Sequence, residues 1–207
     1  MSPLTLQHFR VADQPVLPWK NGGGTTREVA IAKRARGAGF RWRVSVAQVA
    51  RDGPFSLYPG IDRSLWLLRG KGMILDVEGV ERRLAQRFER FDFPGESRIT
   101  ARLIDGPTED LNVMVERAST RATARLFALQ AGGAEVVRAE SSSTSREGEH
   151  LVVALGGALA CFVGGEVVEL AIGDALRWTT VPGDDVLLRA QGRRVELLHA
   201  NFVARSK

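Results

Sequence analysis

The sequence predicts an all-β fold, a sandwich or barrel of short strands present in two copies. Three observations predict it. Apolar strands recur at short intervals with glycine turns between them, as at Glu78-Gly79 and Gly164-Gly165. Helical periodicity is almost absent, whereas strand-like alternation recurs. The chain also repeats itself: Leu65 through Leu84 aligns without a gap on Leu151 through Leu170, with Gly70 on Gly156, Gly79 on Gly165 and Leu84 on Leu170. Beyond each copy, Pro94-Gly95-Glu96 matches Pro182-Gly183-Asp184, with a two-residue insertion in the second copy.

Taken in order, the elements follow from local pattern. In Arg41-Trp42-Arg43-Val44-Ser45-Val46, apolar Trp42, Val44 and Val46 alternate with polar Arg41, Arg43 and Ser45. Such a strand buries one face and turns the other to solvent or to a cavity. Asp52 to Asp62 is turn-rich, with room for one short helix. Each repeat then reads as strand, glycine turn, strand, glycine turn, strand. Leu111 to Glu116 is a further strand, and Arg125 to Leu129 opens the second half. Ala139 to Glu149, with its serine run, reads as a mobile low-complexity loop.

Composition narrows the class. A chain of 207 residues, 44% hydrophobic and 26% charged, suits one large or two small globular all-β domains. No apolar run is long enough to cross a membrane, and no basic-then-apolar leader opens the chain, so a cytoplasmic protein is expected. The single cysteine, Cys161, excludes an internal disulfide and lies in an apolar run, which suits a buried inert thiol. The net charge is +5, but the arginines are scattered and no stacking aromatics alternate with them, so nucleic acid is not the expected partner.

The densest chemistry lies in Pro18-Trp19-Lys20-Asn21-Gly22-Gly23-Gly24-Thr25-Thr26-Arg27-Glu28. The N–H groups of Gly22, Gly23 and Gly24 could converge on an anion as a backbone nest, or simply shape a polar hairpin loop. Lys20 and Arg27 supply positive charge to a ligand or sit in solvent. Asn21 offers a donor and an acceptor, or caps the turn. Trp19 walls a pocket or packs beneath the loop; Thr26 and Ser45 are secondary candidates. Arg63 follows the Pro59-Gly60 turn at a strand mouth, where a guanidinium suits a bidentate carboxylate; its alternative is an ion pair with Asp62 or Asp52. Asn112, polar within an apolar strand, should face a cavity or satisfy a backbone group.

The repeated hairpins with a Pro-Gly-acid turn resemble the cupin superfamily, and two copies imply a bicupin: two RmlC-like jelly-roll β-barrels, residues 1–117 and 118–207, with strand exchange between them allowed. The Pro18–Glu28 run resembles the signature of the HutD/Ves family. So do Trp42-Arg43-Val44-Ser45, Asp52-Gly53-Pro54-Phe55-Ser56, Pro59-Gly60-Ile61-Asp62-Arg63 and Asp110-Leu111-Asn112-Val113-Met114, in the family's order over roughly the first 115 residues. The resemblance implies a bacterial protein associated with histidine utilisation, or with stress responses in the Ves branch, that restrains the pathway by binding a metabolite such as N-formylglutamate or urocanate.

Most cupin enzymes hold a metal through barrel histidines, but here the only histidines are His8, His150 and His199, and none forms a His-x-His pair. Asp52 to Arg63, which stands about where a cupin's paired histidines are expected, offers Asp52, Ser56, Tyr58, Asp62 and Arg63 and no imidazole. No metal and no cofactor are therefore expected. No catalytic constellation is visible. The preferred reading is a binding protein for a small anionic metabolite; the alternative is a metal-independent isomerase, lyase or hydrolase with Lys20 or Asp62 as acid or base. The second repeat shows no matching cluster and is expected to serve as scaffold or homodimer surface.

Overall fold

The computed structural model describes residues 5–138, 148–179 and 185–205. The described chain is all β. In order, the strands are β1 (Leu6–Phe9), β2 (Val16–Pro18), β3 (Gly24–Lys33), β4 (Phe40–Val49), β5 (Gly53–Pro54) and β6 (Ile61–Arg69). They continue with β7 (Met73–Val77), β8 (Val80–Leu84), β9 (Arg90–Pro94), β10 (Ile99–Leu103), β11 (Thr108–Glu116) and β12 (Thr120–Leu129). The remaining strands are β13 (Ala134–Val137), β14 (Gly148–Val163), β15 (Glu166–Leu170), β16 (Ala175–Thr179) and β17 (Val186–Ala204). The turn-rich segment from Asp52 to Asp62 carries β5 and turns, not a helix; the helical turn among the described residues is a 3-10 turn at Val11–Asp13. Most of the low-complexity stretch and the Pro182-Gly183-Asp184 element lie outside the described residues.

The chain separates into two compact units, Pro15–Thr120 and a second made of Met1–Gln14 with Arg121–Lys207. In the first, a six-stranded sheet runs β2-β3-β4-β11-β6-β9 and a four-stranded sheet runs β5-β10-β7-β8. In the second, β1-β16-β14-β17-β12 are joined by β13 and β15. None of the three sheets closes on itself.

Leu65, Leu67, Met73, Leu75 and Leu84 form the heart of the first unit's core with Phe93, Ile99 and Ala101. Each fully buried Leu or Met side chain among them contributes about 1.5–3 kcal/mol relative to exposure. The second unit's core gathers Val152, Ala154, Leu159, Cys161, Leu170, Leu176, Trp178 and Leu197. Burial pushes the Cys161 thiol up to about 12, so it stays protonated and unreactive.

The two repeat segments occupy matching places in their units. β6 lies between β9 and β11, and β7 between β8 and β10. The first part of β14 lies between β16 and β17, and its last part between β15 and an earlier stretch of β17. Both hairpins turn through two residues at positive φ, Glu78 (54°) with Gly79 (90°) and Gly164 (55°) with Gly165 (84°). This is the type I′ geometry that right-twisted strands favour. The gapless alignment nevertheless slips by one residue in the first strand. Leu65 and Leu67 face the core in β6, but Val152 and Ala154 do so in β14. Bulges between Ala154 and Ala158 absorb the difference.

Candidate functional site

Adjacent strands of the six-stranded sheet bring one row of polar side chains to the inside of the first unit. Along β6, Arg63 shares a face with core residues Leu65 and Leu67, because alternate residues face alike. Across β11, Met114 stands opposite Arg63, Asn112 opposite Leu65 and Asp110 opposite Leu67. Across β4, Arg43, Ser45 and Ala47 face those same three β11 positions. The opposite face of β4 carries Trp42, Val44 and Val46, all buried. The alternation read from the sequence thus sends the polar face to a cavity.

That cavity has a volume of about 440 Å³. Its floor is Arg43, Ser45, Ala47, Arg63, Asp110, Asn112 and Met114. Pro18, Trp19, Lys20, Asn21 and Thr26 wall one side, and Pro54, Phe55, Ser56 and Tyr58 the other. The second wall is tied down by backbone bonds from Phe55 N–H to Ile99 O (2.9 Å) and from Tyr58 N–H to Gly95 O (2.7 Å).

Arg63 is the chemical centre. It is only 9% exposed. Its guanidinium lies against three rings, 4.7 Å from the Phe93 centroid, 5.5 Å from Phe55 and 5.6 Å from Tyr58. These are cation–π distances. Nη2 donates to Asn112 Oδ1 at 2.8 Å, and Nη1 reaches Ser56 O at 3.4 Å. Nε is buried and has no partner. Desolvation lowers the guanidinium's pKa, and the nearby Asp110 opposes that shift. An arginine remains charged regardless.

Asn112 relays this charge. Its amide nitrogen donates to Asp110 Oδ1, which fixes the amide orientation between a donor and an acceptor. Asp110 is fully buried, and that desolvation raises its carboxyl to about 7 despite the pull of Arg63 and Asn112. Near neutrality it therefore exists in both protonation states. Arg43 is paired with Glu28 at 2.8 Å. Lys20 has no ion pair among the described residues.

Of the residues singled out in the sequence, Trp19, Lys20, Asn21, Thr26, Ser45, Ser56, Arg63 and Asn112 line the cavity. Trp19 walls it while its indole N–H bonds Thr26 Oγ1 at 2.8 Å. Asn21 both lines it and caps the turn, its Oδ1 accepting from Gly23 N–H at 3.0 Å. The glycines themselves do not line it. Gly22 N–H is bonded to Trp19 O (3.0 Å) and Gly23 N–H to Asn21, so two donors of the expected nest close the loop instead. Arg27 lies opposite Val46, on the other face of the sheet from Thr26. Asp62 bonds the exposed Arg117 at 2.7 Å and stays outside the cavity, so it is not placed to act as acid or base there. Asp52 accepts from Leu103 N–H at 2.8 Å, which removes both expected ion-pair partners of Arg63.

Sequence reasoning did not select Arg43, Phe55, Tyr58 and Asp110 as site residues. Parity was the available signal: Arg43 shares a face with Ser45, and Asp110 with Asn112. The histidines that looked scattered are not all so. His8 bonds Asp174 at 3.1 Å, but His150 and His199 meet at 3.0 Å in the second unit. Among the described residues, no three His, Cys, Asp or Glu side chains converge as metal ligands. Among the described residues, no helix is long and apolar enough to cross a membrane.

Comparison with known proteins agrees with this architecture. The HutD family model matches residues 11–197. An uncharacterised 21.2 kDa protein of the hutC 3' region of Pseudomonas putida is 34% identical over 194 residues, covering 91% of this chain and 94% of that one. Protein Ves of Citrobacter koseri is 35% identical over 122 residues, 58% of this chain and 63% of its own. The solved structure of HutD from Pseudomonas fluorescens SBW25 superposes with a TM-score of 0.74 at 29% identity, covering 98% and 100% of the two chains. Cupin-like structures at 10–11% identity, among them Escherichia coli pirin YhhW (TM-score 0.65) and a salicylate 1,2-dioxygenase (0.60), share the fold. The chain belongs to the HutD/Ves family.

Proposed function

We propose that this chain is a bicupin that binds a small carboxylate metabolite in the cavity of its first unit and thereby regulates histidine utilisation. In this reading residues 1–117 and 118–207 each supply one jelly-roll barrel, with β1 exchanged into the second, where it pairs with β16. One observation carries the ligand class. Arg63 is a buried guanidinium whose Nε has no partner, and Asp110, the carboxylate that acts on it, is pushed up to about 7 by its own burial. A buried cation without a full counter-charge is costly, and a bound carboxylate would complete it. Lys20 adds positive charge around the same space, whereas the charge of Arg43 is met by Glu28. The hut-region name of the Pseudomonas putida relative and the HutD family match support the pathway. N-formylglutamate and urocanate are the test ligands.

Asp110 gives the binding a pH signature. Its protonated carboxyl can donate to an incoming carboxylate, whereas its ionised form repels one. Because the free protein holds it at about 7, anion binding takes up a proton above that pH. Affinity is expected to be flat in mild acid and to fall roughly tenfold per pH unit well above 7. Asp110→Asn, which keeps the acceptor for Asn112, should flatten the profile. Calorimetric titration of both proteins from pH 5 to 9 checks this; parallel slopes would show that Asp110 is not the coupled group.

The same residue favours a second reading, a metal-independent isomerase, lyase or hydrolase. A carboxyl held near neutrality beside an anion site is suited to move protons. In that case Asp110, with Lys20 across the cavity, replaces Asp62 as acid or base. Proton NMR of each acid incubated with the protein separates the two readings: an unchanged spectrum supports binding, and new resonances lost in Asp110→Asn support catalysis.

A further inference from the structure

The second unit has a polar pocket of its own, at the place where the first unit puts Arg63. Reading along the inward faces, Leu67, Leu65 and Arg63 of β6 are matched by Ala154, Val152 and His150 of β14. Their neighbours across the ladder, Asp110, Asn112 and Met114, are matched by Leu197, His199 and Asn201. His150 thus takes the place of Arg63 and His199 that of Asn112. Each pair is hydrogen-bonded, at 2.8 Å in the first unit and 3.0 Å in the second.

The pocket has a volume of about 270 Å³, and Thr123, Arg125, Arg138, His150, His199 and Asn201 supply its polar lining. Among the described residues no carboxylate lines it. Arg125 is paired with Glu135 at 2.7 Å; Arg138 has no ion pair among the described residues. Asn201 Oδ1 and Trp178 Nε1 are buried without partners.

The imidazole geometry decides between two ligand classes. The His150 and His199 planes lie within 9° of each other, with centroids 5.3 Å apart. That separation is close to the largest that a 3.0 Å contact between His150 Nδ1 and His199 Nε2 allows, so the rings lie end to end. One N–H therefore points at the other ring's lone pair, and the two do not aim at a common point as chelating ligands would. Burial lowers His150 to about 4 and His199 to about 3, so the pair is neutral, with one ring donating to the other. The facing groups are Trp178 from β16, Asn201 from β17, Arg125 from β12 and Arg138 after β13. Among the described residues that face the pair, only the arginines are charged.

We propose that this pocket is a second ligand site, which takes a small carboxylate between Arg138 and the His150–His199 pair. Arg138 attracts the anion, and the imidazole pair becomes cationic when it enters, because the added charge offsets desolvation. The proposal stands on the second unit alone and does not require the first cavity to bind anything.

The test uses the full chain carrying Arg63→Ala, which disables the first site, with sodium acetate as the probe and sodium chloride at matched ionic strength as the control. Side-chain 15N spectra report each imidazole. Saturable movement of the His150 and His199 signals toward imidazolium is expected with acetate and not with chloride. Arg138→Ala, an exposed change that leaves the core intact, should weaken the response about tenfold or more. Movement that does not saturate, that chloride reproduces, or that Arg138→Ala leaves unchanged would overturn the second site. Loss of affinity in the Arg63→Ala parent reports only on the first.

Discussion

Arg63→Ala is expected to lower affinity for N-formylglutamate or urocanate by about one to two decades while leaving the protein folded. Arg63 lines the cavity as a largely buried guanidinium whose Nε has no hydrogen-bond partner. Hydrogen bonds to charged groups contribute about 1.5–3 kcal/mol each, and about 1.4 kcal/mol is tenfold in affinity. Truncation also removes the cation that holds Asp110 down, so the carboxyl should move above its present value of about 7. Calorimetry, with a thermal melt as the control for folding, measures the effect. Arg177→Ala provides the comparison, since Arg177 is paired with Glu149 in the second unit and should leave affinity unchanged. Unchanged affinity in folded Arg63→Ala would remove the guanidinium from the site.

Gly24→Ala should damage both stability and binding. A Cβ at Gly24 would lie 2.1 Å from Gln48 O, a backbone atom of β4 that cannot swing aside. The start of β3 must then separate from β4, and with it the Trp19–Asn21 wall of the cavity, which Trp19 N–H ties to Gly24 O at 2.9 Å. Overpacking of this kind costs about 1–3 kcal/mol. Gly22→Ala is the informative contrast. Its Cβ would meet nothing within 4 Å, so only the positive φ of 68° opposes it, at about 1 kcal/mol. Chemical denaturation of the two variants should rank Gly24→Ala clearly below Gly22→Ala. The reverse order would show that the glycine run serves conformational freedom and not close approach.

The glycines illustrate what a sequence conveys and what it withholds. Their presence in a loop was legible, and so were the hairpins at Gly79 and Gly165, because positive φ is a local demand. Where their N–H groups point was not legible, since Asn21 and Trp19 O capture two of them only after the loop folds. Period-two alternation placed Ser45 and Asn112 on polar faces, and applied consistently it would have added Arg43 and Asp110. It would also have removed Arg27, which is one residue out of phase with Thr26. Asp62 was misplaced for the same reason, being one residue from Arg63 and therefore on the outside. The His150–His199 pair was beyond reach of spacing arguments. Bulges in β14 shift its register by one residue, and the gapless repeat set Leu151 where Val152 belongs.

The most direct test of the central claim is a crystal structure of the protein grown with N-formylglutamate. The account predicts the ligand in the cavity of the Pro15–Thr120 unit, with a carboxylate on the Arg63 guanidinium and within reach of Lys20 and Asp110. A ligand bound elsewhere while that cavity holds only water would contradict it.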